Sequence, residues 1–476
     1  MIEALSIEEL HALYAKGELT VREAVLFYLD RIQELDKGEE GLNAVLEINP
    51  DALFLADAMD ARLRAGEQPE RLFGIPILLK DNINTGDKMV SSAGSIALAD
   101  HFAPEDAEVA AKLREAGALI LGKANMTEFA NYMTREGMPS GYSSRGGQVL
   151  NPHNRAETPS GSSSGSAVGV AAGLCAAAIG TETAGSIVHP AMMNGIVGLK
   201  PTVGLVSRSG ILPISWTLDT AGPMARTVRD AAALLTAMAG YGEKDAATHA
   251  LAGRPRVDYA AALEGAALQG LRIGINEAHK AENLTEEAMK DEKVIRQLAA
   301  FDHLLEVLRQ NGAELVRVAD IEGAREIVPI MRKEFRRGVD AYLAVSHGHT
   351  AMRSLADIVQ YNRRNAHIAL RYGQSLLVEA AESSGTMTEP DYLAALALRE
   401  EKIRALDKAF DDAKIDVMLC LMFTNLAPYT GFPCMSIPIG RREDGVPIGS
   451  YWMARRFDET TLLRAAHAAE QALKDG

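Results

Sequence analysis

The chain has 476 residues, 47% hydrophobic and 24% charged, with a formal net charge of -15 and three cysteines. This length suits one large α/β domain with an insertion, or two domains. The acidic balance argues against a nucleic-acid partner, which needs clustered Lys and Arg. Three scattered cysteines without a CxxC argue against a disulfide framework and for a reducing compartment. The start, MIEALSIEELHALYAKGE, has no basic segment before an apolar core, so no signal peptide is expected and a cytoplasmic protein is.

In chain order, Ser6-Ile7-Glu8-Glu9 and Thr20-Val21-Arg22-Glu23 each fit a capping box, in which side chains satisfy the orphan amides of a helix start. A helix is predicted over 50–65, with Pro50 in its first turn and Gly66 as its stop. An α/β alternation follows: a buried strand over 75–79 ending at Lys80, a helix over 106–116 stopped at Gly117, and a strand over 118–121. The longest nearly apolar run, 167–180, is too short to span a bilayer and reads as a core helix and strand. Strands are also predicted over 271–275, 314–318 and 417–423, the middle one after a helix that ends at Gln310. Residues 280–413 are more charged and mostly helical, and 458–474 is an amphipathic helix. Alternating strands and helices predict a large mixed, mainly parallel β-sheet covered by helices on both faces.

Several motifs have two readings. Residues 117–124, GALILGKA, nearly match a phosphate loop, but Ala124 stands where a hydroxyl is needed for magnesium and the apolar middle suits a strand. Residues 161–165, GSSSG, match the nucleophile elbow G-x-S-x-G, yet the polar residues before them, with Pro159, do not form the apolar strand an elbow requires. His347-Gly348-His349 lacks the further ligands that zinc demands. Lys80 either snorkels to the surface at its strand end or, if desolvated there, becomes a neutral base near physiological pH. In the turn 180–186, GTETAGS, successive amides suit a concave nest for an anion, with a serine at its end as nucleophile; a merely structural turn fits the same residues.

Taken together, 74–81 (GIPILLKD), 160–166 (SGSSSGS), 180–191 (GTETAGSIVHPA), 198–202 (GLKPT), 219–224 (DTAGPM) and the C-terminal GFP, PIG and GVPIG segments resemble the amidase signature family in order and spacing. The resemblance covers nearly the whole chain and is weakest over 240–410. It implies the amidase signature fold as a single domain over 1–476: N-terminal helices over 1–65, a catalytic core over 66–240, a mostly helical elaboration over 241–410 and a return to the core sheet over 411–476. Carried over, it makes Ser186 the nucleophile, Ser162 the bridging serine behind a cis Gly161–Ser162 peptide, and Lys80 the base. Ser163 resembles the serine that hydrogen-bonds the lysine, and the amides of Thr183, Ala184, Gly185 and Ser186 would form the oxyanion hole. Where the common family pattern has Gly, Arg, Asp and two glycines, this chain has Ala184, Val188, Glu182, Ser160 and Ser164.

The implied activity is hydrolysis of linear carboxamides through an acyl-enzyme, with no cofactor or metal. The variant turn is similar to that of bacterial peptide amidases, which act on C-terminal peptide amides. Aryl acylamides, carbamates, or a glutaminase-type subunit of a tRNA-dependent amidotransferase are the alternatives. A peptide or small-molecule amide, rather than nucleic acid or a membrane, is the expected partner. A Ser-His scheme would instead use His153 or His189. Met133, Met138, Tyr142, Trp216 and Tyr429 are candidates either for an apolar pocket or for core packing.

Overall fold

The computed structural model of the chain describes residues 2–67, 69–276, 290–319, 321, 326–346, 349–421 and 423–475. Helices α1 (Ile7–Lys16) and α2 (Val21–Arg31) both start with the capping boxes read from the sequence, Ser6 with Glu9 and Thr20 with Glu23. The strands are β1 (Val45–Ile48), β2 (Pro76–Lys80), β3 (Leu119–Ala124), the short pair β4 (Tyr142–Ser143) and β5 (Gly147–Gln148), β6 (Ala177–Glu182), β7 (Val197–Lys200), β8 (Thr220–Ala225), β9 (Arg272–Asn276), β10 (Glu314–Val318), β11 (Val417–Cys420), β12 (Cys434–Arg441) and β13 (Pro447–Met453). All but β4 and β5 join one sheet of eleven strands in the order β1-β3-β2-β6-β8-β7-β12-β13-β11-β9-β10.

The sheet is mixed, as expected, but its balance is not mainly parallel. Among the described residues β2 pairs in parallel with β3 and β6, and β9 with β10 and β11, while the six other pairings are antiparallel. The strands that reverse the direction are those the sequence hides. Gly222 and Pro223 interrupt the β pattern of β8, Pro438 and Gly440 that of β12, and β12 turns tightly at Gly445 into β13. Gly and Pro are poor β-formers and read as breakers. The predicted strand over 417–423 ends at Cys420, and the helix predicted from Pro50 starts at Ala52.

Strands β2, β3, β6, β7, β8, β11 and β13 are buried at every position, which requires cover on both faces. That cover includes α3 (Ala52–Arg64), α4 (Glu108–Glu115), α5 (Ser164–Ala171), α6 (Val188–Asn194) and α7 (Val228–Met238). The apolar run over 167–180 is thus α5 followed by β6, and no helix among the described residues is long and apolar enough to cross a membrane. Between β9 and β11 the chain forms α8 (Glu292–Gln310), α9 (Ile327–Val345), α10 (Leu355–Arg364), α11 (Ala366–Ala369), α12 (Ser375–Glu382) and α13 (Pro390–Ala413). The last helix, Glu459–Asp475, packs back on the core sheet. The start of the predicted helical stretch at Lys280, and His347-Gly348 of the paired-histidine motif, lie outside the described residues.

Candidate active site

Lys80 ends β2 fully buried, a position that a lysine occupies only with its ammonium well provided for. Its Nζ donates to Ser162 Oγ at 2.7 Å and to the Thr181 carbonyl at 3.0 Å. Burial holds its pKa down at about 7 against an ordinary 10.5, opposed by the nearby charges of Asp219 and Glu182. The surface-snorkelling alternative is therefore excluded by geometry. The side chain meets neutral oxygens, so the free amine is accessible near neutral pH.

Ser162 is likewise fully buried, and the Gly161–Ser162 peptide is cis. Its carbonyl accepts from the Thr127 amide at 3.1 Å, and the next amide, that of Ser163, donates to the Ser186 carbonyl at 3.2 Å. The segments that carry Ser162 and Ser186 are thus bonded to each other directly. The hydrogen bond expected between Ser163 and Lys80 takes another form. Ser163 Oγ donates to the Thr181 carbonyl at 3.1 Å, the acceptor that Lys80 also uses, and accepts from the Thr181 amide at 3.3 Å. Ser163 and Lys80 thus share one carbonyl acceptor. Ser160, where glycine is usual, takes φ 59°, and its carbonyl accepts from the Ser164 hydroxyl at 2.6 Å, so both serines in place of glycines are used in this turn.

The turn after β6 carries Thr183, Ala184, Gly185 and Ser186. Glu182 shapes it: Oε2 accepts from the amides of Ile187 at 2.7 Å and Val188 at 3.0 Å, and the Gly185 amide also favours its charged form. Burial pushes the Glu182 carboxyl up, and Lys200 nearby pulls it down. Glycine is required at 185, where φ is 91° and a Cβ would stand 2.8 Å from the Phe423 ring. The Gly185 carbonyl accepts from the His189 amide at 2.9 Å, which starts α6. Ser186 itself is 9% exposed.

Neither histidine of the rival scheme takes a base's place. His153 Nε2 lies 2.9 Å from the Asn194 carbonyl, and the exposed His189 ring stands 4.5 Å from the Phe423 ring. The near-phosphate loop is β3, whose Lys123 is buried against Ser91 Oγ at 2.8 Å. Among the described residues no three His, Cys, Asp or Glu side chains cluster as a metal site, and the three cysteines are buried and form no disulfide.

A cavity of about 350 Å³ adjoins the turn through Thr181, Thr183 and Asp219 and runs between the 208–216 segment and α9. Trp216 lines it; Met133 and Tyr429 are core residues instead, and Met138 packs on the core that holds Met133. Tyr142 stacks edge-on against Tyr372 at 4.9 Å. The sequence did not point to Tyr342 and Val345, which α9 brings to this cavity, or to Phe423. They lie far along the chain from the motifs, and no local pattern marks them. Asp219 was visible only as the first residue of a motif.

A family model described as Amidase matches residues 23–463. A "Probable amidase" of Arabidopsis thaliana is 36% identical over 99% of this chain and 90% of its own length. A glutamyl-tRNA(Gln) amidotransferase component from Maridesulfovibrio salexigens is 34% identical over 99% of this chain and 97% of its own. Among solved structures, the native peptide amidase from Stenotrophomonas maltophilia superposes with a TM-score of 0.89 at 39% identity, covering 99% of this chain and 97% of that one. The chain belongs to the amidase family, and is a hydrolase that acts on amide C–N bonds.

Proposed function

We propose that the protein cleaves linear carboxamides through a Ser186 acyl-enzyme, with Ser162 relaying protons to and from Lys80. The observation that carries this reading is the 2.7 Å bond from a fully buried Lys80 amine to Ser162 Oγ. The free amine takes the Ser162 proton as Ser162 takes that of Ser186, whose Oγ attacks the amide carbonyl. The oxyanion forms against the amides of Thr183, Ala184, Gly185 and Ser186. The proton returns through Ser162 to the leaving nitrogen, and water cleaves the ester by the same relay. A serine is needed at 162 because its hydroxyl both accepts and donates.

The substrate class we favour is the C-terminal amide of a peptide, supported by the likeness to the peptide amidase over nearly the full length of both chains. The equally complete likeness to an amidotransferase component supports a second reading, glutamine hydrolysis with ammonia passed to a partner. One experiment tests both. The protein is incubated with a slow peptide amide and, separately, with glutamine, and examined by intact mass and ammonia release. The expected result is an acyl adduct mapped to Ser186, absent from Ser186→Ala and Lys80→Ala, with ammonia released from the peptide amide. An adduct elsewhere, or near-normal turnover by Lys80→Ala, rejects the relay. Ammonia from glutamine alone transfers the assignment to the second reading.

A further inference from the structure

Asp219, the residue before β8, is 8% exposed and uses its two carboxylate oxygens on two different segments. Oδ1 accepts from the Thr183 hydroxyl at 2.5 Å. Oδ2 accepts from the amides of Ile214 at 2.8 Å and Ser215 at 2.9 Å. One side chain therefore ties the turn that leads to Ser186 to the loop that walls the adjoining cavity, and it lines that cavity itself. We infer that Asp219 is a positioning residue for amide hydrolysis: it holds Thr183, and with it the first amide of the 183–186 turn, in register with Ser186.

The inference rests on Lys80 as the base. The charges that face the lysine are Asp219, the strongest, and Glu182. Asp219 in turn faces Arg208, which pairs with Asp245 at 2.6 Å and has Glu334 nearby. Burial pushes the Asp219 carboxyl up to about 6, opposed by Thr183, Ser215, Ile214 and Arg208. Lys80 stands at about 7, so the acidic limb of the rate profile belongs to the pair rather than to either group. A negative charge favours the ammonium form of Lys80. Removing that charge favours the free amine, and activity then survives to lower pH.

The test is the pH dependence of kcat and kcat/KM on a simple amide, with circular dichroism and thermal melting to establish folding. Asp219→Asn is expected to lower kcat several-fold, because its oxygen can still serve the amides of Ile214 and Ser215 but its N–H then faces Thr183, whose hydroxyl must accept where it donated, and the turn shifts. Its acidic limb is expected to move down by about one pH unit. Thr183→Val cuts the same hydrogen bond, so kcat is expected to fall, and Thr183→Ser, which keeps the hydroxyl, restores kcat. A folded Asp219→Asn whose limb does not move, or whose kcat stays within twofold of wild type, overturns the inference. If that variant does not fold, Thr183→Val with kcat within twofold of Thr183→Ser overturns it instead. Lys80→Ala run alongside separates the two assignments: activity surviving there removes the base, while the Thr183 pair still reports on positioning.

Discussion

A buried lysine is a stability cost to the fold. Unfolded, Lys80 binds its proton up to about 10.5; folded, only up to about 7. Between those values the unfolded chain holds the extra proton, so this residue makes stability rise with pH across that window. Below it both states are protonated and the full penalty is present. Lys80→Met, similar in length and without charge, is expected to abolish activity and to raise stability by a few kcal/mol at pH 7, a gain that shrinks as pH rises toward 10. Urea midpoints at several pH values would check this; a gain that does not change with pH would contradict it. The lysine was legible from its strand-end position. Its lowered pKa was not, because desolvation is set by what α5, β6 and the 160–163 turn place around it. Glu182 makes the same point: as a sequence feature it is only a departure from aspartate, and in space it ties down two amides of the turn after β6.

Among the elements, α5 shows why small residues were the strongest signal in the chain. A Cβ on Gly165 would collide with the backbone carbonyls of Ala44 and Asn125, neither of which can yield. A Cβ on Gly169 would crowd Leu78 Cδ1, at 2.9 Å, the end of a flexible side chain, and would stand at an ordinary 3.7 Å from Cys175 Sγ. Gly165→Ala is expected to destabilise by about 3 kcal/mol and Gly169→Ala by about 1 kcal/mol. Chemical denaturation of both measures the difference, and equal costs would mean that α5 is not seated by backbone contact. The parallel strands β2, β3, β9 and β10 were legible because β-branched and leucine runs mark them. The antiparallel β8, β12 and β13 were not, since their Gly and Pro residues serve close backbone packing: a Cβ on Gly222 would strike the Leu199 carbonyl of the neighbouring segment.

At the scale of the molecule, the helical elaboration reaches into the site through α9, which lines the cavity and also grips the loop opposite. Glu334 on α9 is fully buried and accepts from Ser215 Oγ at 2.5 Å, Thr217 Oγ1 at 2.5 Å, the Thr217 amide at 3.1 Å and Tyr392 Oη at 2.8 Å. It grips the loop whose other side Asp219 holds, so α9 both walls the cavity and fixes the opposite wall. Glu334→Ala leaves four donors unpaired and is expected to cost about 3–4 kcal/mol in stability and to raise KM several-fold more than it lowers kcat. Steady-state kinetics with melting curves would test this; an unchanged KM would separate α9 from substrate binding.

The linear sequence by itself determined the family, the order of the motifs and the residue types of the site, because each motif is a short run whose glycines, serines and lysine answer to local backbone demands. Only the tertiary structure decided the direction of the central strands, the desolvation of Lys80, the meeting of Asp219 with Thr183 and the share of α9 in the cavity. Those are contacts between segments scores of residues apart, and no periodicity along the chain encodes which surfaces close on one another.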